Sequence, residues 1–208
     1  MSLTGVFCYF GQMTSEKALS ELKEGNQRFR ESRMLHPRTD LEYVKAKPQD
    51  GCERAWILTC ANSRVPPEII FDQGIGDLFT VRVAGNVANG DEIASKQYAI
   101  EQMQTRLCVV MGHTECRAVQ TVISASQLPL EIDQLFRQIK KAVKQARLAN
   151  ARSSGAELVN AAVRTNVHES IETLRICLRK LIDRQNVGIV GAIYRVESGE
   201  VVWLDSSY

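Results

Sequence analysis

The chain has 208 residues, of which 44% are hydrophobic and 24% are charged, and its formal net charge is +2. This mixture excludes a disordered or collagen-like chain, and a small charge spread along the sequence gives no reason to expect a nucleic acid partner. No apolar run reaches the roughly 18 residues that a membrane-spanning helix needs. The start lacks a basic segment before its short apolar patch and is a poor signal peptide, so we expect a cytoplasmic protein.

The N-terminal part of the chain is expected to be helical. Apolar residues recur at helical spacing over residues 14–29, with Gly25 as an interruption. A polar connector follows over residues 34–51. At about 150 residues per domain, we expect one domain over residues 1–208, in which residues 1–50 form a helical arm and a connector.

The remainder alternates between two kinds of pattern. Short apolar runs typical of buried parallel strands alternate with stretches of helical periodicity. The predicted strands are 55–59, 78–83, 107–111 and 187–193, the predicted helices are a short one from Pro66, then 91–103, 117–124, 131–149 and 156–184, and a hairpin is predicted over 194–204. This alternation predicts an α/β fold with a central, mostly parallel β-sheet flanked by helices.

Three soft metal ligands follow two of the predicted strands. Cys60 follows the first strand, and His113 and Cys116 follow the third. In open α/β folds, sites form at the carboxyl ends of strands, so the three side chains could form a Cys₂His zinc site with one open position, as catalytic zinc sites have. By spacing alone, Cys60 could equally be a buried thiol and His113 an ordinary turn residue.

Three segments, taken in this order, resemble the β-class carbonic anhydrases. They are Cys60-Ala61-Asn62-Ser63-Arg64, then Arg82-Val83-Ala84-Gly85-Asn86, and Gly112-His113-Thr114-Glu115-Cys116. The resemblance implies a lyase that hydrates carbon dioxide reversibly to bicarbonate. It implies Zn²⁺ held by Cys60, His113 and Cys116, with water or hydroxide as the fourth ligand, and a zinc-bound hydroxide as the attacking group.

The same resemblance implies an assembly and a pocket. The family forms homodimers, often paired into homotetramers, and its N-terminal helices pack on the partner subunit. The substrate pocket is apolar and lies at the dimer interface, where Phe79, Tyr98 and Ala84 match its lining positions. Phe79 and Tyr98 could also be plain core aromatic residues.

The most informative departure from the family is Asn62. The family has an Asp here, which pairs with the Arg that matches Arg64 and orients the hydroxide. We expect Asn62 and Arg64 to be the catalytic residues beside the metal, but Asn lacks the negative charge. Losing such an orienting group costs roughly 10² to 10³-fold in rate.

Two softer departures lie nearby. Arg117 stands where the family usually has Gly, and it could attract an anion, pair with a carboxylate such as Glu115, or point to solvent. Many members have a Gln nine residues before the first cysteine, where this chain has Gly51, with Gln49 two residues earlier.

Three functions therefore remain open. The first is a carbonic anhydrase with reduced activity, favoured by the intact ligand set and by Arg64. The second is a zinc-binding, catalytically impaired homologue with a binding or regulatory role, favoured by Asn62 and Arg117. The third is a hydrolase of carbonyl sulfide or carbon disulfide, which would use the same zinc chemistry.

Overall fold

The computed structural model describes residues 13–46, 53–102, 105–149 and 151–204. The helices, in chain order, are α1 (Ser15–Arg30), α2 (Leu41–Ala46), α3 (Pro67–Ile70), α4 (Gly90–Gln102), α5 (Arg117–Ser124), α6 (Leu130–Leu135), α7 (Arg137–Ala149) and α8 (Gly155–Gln185), with a short 3₁₀ turn over Ala84–Asn86. The strands are β1 (Ala55–Cys60), β2 (Leu78–Val83), β3 (Leu107–His113), β4 (Gly188–Tyr194) and β5 (Val201–Trp203). Among the described residues, none of the helices combines the length and the apolar character that a bilayer crossing requires.

The five strands form one sheet in the order β2-β1-β3-β4-β5. The first four are mutually parallel, and β5 runs antiparallel to β4. The predicted mostly parallel α/β fold and the C-terminal hairpin are therefore confirmed. Strands β1 and β3 are buried along their whole length, which explains why both appear in the sequence as continuous apolar runs.

Helices cover both faces of the sheet, so the core has two layers. Successive strand residues point to opposite faces, and in β1 Trp56 and Leu58 pack in one apolar cluster while Ala55 and Ile57 pack in the other. The larger cluster lies beneath α4, α5, α7 and α8. The smaller one lies beneath α1 and α3.

The sequence suggested that Gly25 interrupts the first helix, and this prediction is wrong. Helix α1 is continuous from Ser15 to Arg30, and Thr14 caps it by accepting a hydrogen bond from the Lys17 N–H at 3.2 Å. A Cβ atom at Gly25 would lie 1.7 Å from the carbonyl oxygen of Phe71. Glycine is present because the chain around Phe71 approaches the helix too closely for any side chain.

Two helical segments differ from the expectation. The single helix predicted over residues 131–149 is two helices, α6 and α7, which meet at the buried Phe136. The polar connector, for which no helix was predicted, contains α2, whose first turn is capped by Asp40 accepting from the Tyr43 N–H at 2.7 Å. Helix α2 buries none of its side chains, and Leu41 and Val44 are exposed.

Candidate metal centre

The three predicted ligands lie together at the carboxyl ends of the parallel strands. Cys60 is the last residue of β1 and His113 is the last residue of β3. These strands are parallel neighbours, so their carboxyl ends lie together. Cys116 follows β3 by a short turn and is the N-cap residue of α5. The register of the sheet therefore makes ligands from distant parts of the chain neighbours in space.

The donor atoms of Cys60, His113 and Cys116 all lie within 4.8 Å of one another, and all three residues are buried. The Nδ1 atom of His113 lies 2.7 Å from the carbonyl oxygen of Thr114, so Nδ1 carries the proton and Nε2 has the lone pair. Nε2 is buried with no hydrogen-bond partner among the described residues. Two sulfurs and one unpartnered imidazole nitrogen fit Zn²⁺, and three protein ligands leave a position open.

The two thiols differ in acidity. The Cys116 thiol donates a hydrogen bond to Cys60, and this bond, together with the Gly85 N–H, lowers the pKa of Cys60. The Gly85 nitrogen lies 3.4 Å from the Cys60 sulfur. The same shared proton, together with burial, raises the pKa of Cys116. Cys60 is thus the more acidic of the two thiols, and a bound cation would require both to lose their protons.

The backbone at Gly85 is held from behind by the helices. Gly85 has a φ of +75°, and a Cβ there would lie 2.3 Å from Cδ1 of Ile139 on α7. From α8, Asn166 donates to the Gly85 carbonyl oxygen at 2.8 Å, and Ser170 donates to the Asn86 carbonyl oxygen at 3.0 Å. These contacts fix the N–H group that faces the Cys60 sulfur.

The polar residues that hold the backbone at Gly85 were not predicted from the sequence. Gln138 of α7 donates to Oδ1 of Asn166 at 2.9 Å and to Oγ of Ser170 at 2.7 Å, and it accepts from the Ala88 N–H at 3.1 Å. The signal was present in the sequence, because Asn166 and Ser170 are spaced by four residues on the buried face of α8. Polar residues on such a face require partners.

Asn62 and Arg64 lie on the turn after β1, and their side chains do not pair. Asn62 is half-buried, and its Oδ1 accepts from the Arg64 backbone N–H at 3.0 Å. The Arg64 guanidinium instead donates to Glu115 at 2.9 Å. Arg82 donates to the Asn62 carbonyl oxygen at 2.6 Å and to the Cys60 carbonyl oxygen at 3.3 Å. The Asn62 side chain is neutral, and the carboxylate that pairs with the Arg64 guanidinium is that of Glu115.

Arg117 adopts the least specific of its three expected roles. It is the first residue of α5, its side chain is exposed, and its φ is not in the left-handed region. Glu115, the suggested partner, is bonded to Arg64. Nothing in the described contacts therefore explains why this chain has Arg117 where the family usually has Gly.

The expected pocket residues are dispersed. Ala84 is half-buried and directly precedes Gly85, beside the Cys60 sulfur. Phe79 on β2 is the register partner of Trp56 on β1. Trp56 precedes Cys60 by four strand residues, which places Phe79 roughly 13 Å from Cys60 along the strand direction. Tyr98 is on α4 and is 53% exposed. The structure brings only Ala84 to the metal cluster of the same chain.

The expectation for Gln49 and Gly51 lies outside the described residues.

Comparison with known proteins gives consistent results. A family model described as carbonic anhydrase matches residues 55–201. "Carbonic anhydrase 2" of Mycobacterium tuberculosis is 33% identical over 191 residues, which cover 90% of this chain and 92% of that protein. "Carbonic anhydrase" of Synechococcus elongatus is 35% identical over 195 residues, covering 88% of this chain and 71% of that protein.

Solved structures agree with the fold. The β-carbonic anhydrase CcaA is 30% identical with a TM-score of 0.69, covering 90% of this chain and 95% of that one. The β-carbonic anhydrase CafA of Aspergillus fumigatus superposes with a TM-score of 0.73 at 24% identity, covering 93% of this chain and 91% of that one. At that identity the second likeness shows the fold alone.

Proposed function

Because this chain belongs to the β-class carbonic anhydrase family, we propose that it catalyses the reversible hydration of carbon dioxide to bicarbonate. We propose Zn²⁺ as its metal, held by Cys60, His113 and Cys116. The observation that supports this most is the buried cluster of these three donors, with His113 Nε2 free to bind. When bound, zinc supplies a nucleophile from water at near-neutral pH.

The chain's own residues prepare this site. The Thr114 carbonyl oxygen fixes the His113 tautomer, so that the lone pair is on Nε2. The Gly85 N–H stabilises negative charge on the Cys60 sulfur. Asn62 offers one acceptor oxygen, and the Arg64 N–H already occupies it. Asn62 is thus a weaker acceptor than a carboxylate, and we propose an activity reduced by roughly 10² to 10³-fold relative to a site with Asp.

The proposed assembly is a homodimer, with a tetramer as a further possibility because relatives from Sordaria macrospora are described as tetrameric. Helix α2, with Leu41 and Val44 exposed and no buried side chain, supports an N-terminal arm that packs on a partner. Phe79 lies on the edge strand β2, far from its own Cys60, so we propose that it and Tyr98 line the pocket of a second copy. We also propose that residues 1–208 form a single domain and that the protein is cytoplasmic.

Asn62 also favours one competing function. If the orienting group is too weak, the chain is a zinc-binding homologue with a binding or regulatory role. The site would then keep its cluster and its ion pairs but lack turnover. Hydrolysis of carbonyl sulfide or carbon disulfide would use the same cluster.

Stopped-flow carbon dioxide hydration on protein with one zinc per chain tests the proposal. We expect a rate well above that of buffer, abolished by a zinc-binding anion such as azide. A metal-free sample of the same protein is the control and should run at the buffer rate. A zinc-loaded protein that also runs at the buffer rate would contradict the proposed activity, and the sulfur analogues of carbon dioxide would be tried next.

A further inference from the structure

An ion pair joins the two turns that hold the three donor side chains. Arg64 is on the turn after β1, and its Nη1 lies 2.9 Å from Oε2 of Glu115, on the turn after β3. Cys60 precedes Arg64 by four residues, and Cys116 follows Glu115 directly. The pair therefore links the turn that follows Cys60 to the turn that precedes Cys116.

Glu115 has an unusual backbone. Its φ is +56°, in the left-handed region, which costs a residue other than Gly roughly 1–2 kcal/mol. Asn, Asp or Gly would adopt this turn more easily. Backbone strain of this kind concentrates at functional sites. The feature that Glu adds at this position is a carboxylate that reaches Arg64.

Arg64 depends on that carboxylate. Its backbone N–H is bound by Asn62, whose neutral side chain leaves the guanidinium without a countercharge on its own turn. Glu115 is the one carboxylate within ion-pair distance of Arg64 in the part of the chain that the structure describes. The side chains of Arg64 and Glu115 are 46% and 59% exposed, so the pair adds little to stability, and its effect is on where the guanidinium lies.

We propose that Glu115 is a positioning residue, whose carboxylate holds the Arg64 guanidinium between the two turns that carry the metal cluster, so that the cation can bind the anionic product bicarbonate. This inference rests on the proposed function. Bicarbonate is recognised by a fixed guanidinium through paired N–H donors, and a mobile one loses entropy on binding. Loss of the carboxylate should therefore weaken bicarbonate binding more than it slows turnover.

The test compares Glu115→Gln with Glu172→Gln in zinc-loaded protein. Glu172 pairs with Arg175 at 3.0 Å on α8, and that ion pair is similarly exposed, so its variant removes the same charge elsewhere. We expect Glu115→Gln to raise the KM for bicarbonate about three- to tenfold with kcat for dehydration nearly unchanged. By the Haldane relation, kcat/KM for hydration should fall by the same factor. The Glu172→Gln protein should match the parent.

A double-mutant cycle shows whether Glu115 acts through Arg64. In an Arg64→Gln background, Glu115→Gln should change the KM for bicarbonate no further, because the guanidinium it positions is gone. An equal rise in KM in both backgrounds would overturn the proposal. So would a Glu115→Gln protein whose KM equals that of the parent.

A measurement that needs no turnover separates this inference from the proposed function. In ¹⁵N NMR spectra recorded at low temperature, the ion pair should slow rotation of the Arg64 guanidinium enough to give resolved side-chain N–H signals, identified by their loss in Arg64→Gln. Those signals should weaken in Glu115→Gln, and the Kd for bicarbonate in an NMR titration should rise by the same three- to tenfold factor. If the zinc-loaded parent runs at the buffer rate, the proposed function fails, and these two readouts still decide the role of Glu115.

Discussion

At the scale of single residues, the two cysteines of the cluster are unequal. The pKa of Cys60 is lowered by the hydrogen bond from the Cys116 thiol, and the pKa of Cys116 is raised by the same bond and by burial. Cys116→Ser removes a sulfur ligand and the donor to Cys60 together. We expect zinc content well below one per chain after dialysis, measured by atomic emission. Cys177→Ser, at an exposed cysteine on α8, is the control and should keep its zinc.

Asn62 is the residue on which activity should depend most. In Asn62→Asp, one carboxylate oxygen can keep the bond to the Arg64 N–H that is now 3.0 Å long, and the other remains free to accept a proton at the site. We expect the hydration rate to rise tenfold or more, a conservative part of what an orienting group contributes. Stopped-flow assays at equal zinc content measure it. Asn62→Ala is the comparison and should show no gain, and a gain in both variants would contradict the role given to the carboxylate.

At the scale of elements, helix α8 holds the backbone beside the candidate metal centre. Asn166 is buried on α8 and donates to the Gly85 carbonyl oxygen at 2.8 Å, which fixes the N–H beside the Cys60 sulfur. Asn166→Leu leaves buried polar groups unpartnered, so the free energy of unfolding should fall by about 1–3 kcal/mol. Zinc affinity should fall about tenfold, as when a group that orients a ligand is lost. Urea unfolding and chelator competition measure the two effects.

The neighbouring Thr165 provides the control for this prediction. Its hydroxyl bonds only within α8, to the Ala161 carbonyl oxygen at 3.0 Å. Thr165→Ala should leave zinc affinity unchanged. An Asn166→Leu protein that is less stable but binds zinc as tightly as the parent would show that the turn at Gly85 is fixed by its own backbone.

Local patterns account for the elements that were predicted correctly. Strands β1 and β3 are buried on both faces, so each gives a continuous apolar run that needs no knowledge of its neighbours. The break between α6 and α7 lies instead at Phe136, which packs in the larger apolar cluster, and Gly25 lies against the distant Phe71. Nothing within α1 indicates that the Phe71 carbonyl oxygen lies against Gly25. Boundaries set by tertiary packing are therefore absent from the local pattern.

The same distinction applies to the site. Cys60, His113 and Cys116 could be predicted because they lie at or just after the ends of two strands, within segments that resemble the family. The partner of Arg64 could not, since Asn62 is near in sequence while Glu115 is reached only through the register of β1 and β3. Side chains that meet across elements have several candidate partners in the sequence, and packing selects among them.

At the scale of the whole molecule, the core contains a buried amine that lowers stability and has no role in the candidate metal site. Lys96 of α4 is fully buried, and its Nζ has no hydrogen-bond partner among the described residues. It lies 4.9 Å from the centre of the Trp56 ring, which attracts the cation. Desolvation still lowers the pKa of Lys96 to about 8, against smaller opposing effects of Cys108, Glu92 and Cys177.

The sign of the pH dependence follows from this shift. Between about pH 8 and its ordinary pKa of 10.5, Lys96 is neutral in the folded chain and protonated in the unfolded chain. The unfolded state then binds the extra proton, so the contribution of Lys96 to the free energy of unfolding rises with pH through this window and is lowest below pH 8. Replacing Lys96 with an apolar side chain of similar length removes that penalty.

Lys96→Met should therefore be more stable than the parent at pH 7, by up to about 3 kcal/mol, and the difference should shrink as the pH rises towards 10.5. Urea unfolding of both proteins from pH 7 to pH 10 measures it, because other titrations cancel in the comparison. Lys144→Met, at an exposed position of α7, is the control and should show no such trend. A stability difference for Lys96→Met that is constant across this range would mean that the buried amine keeps its proton, stabilised by the Trp56 ring.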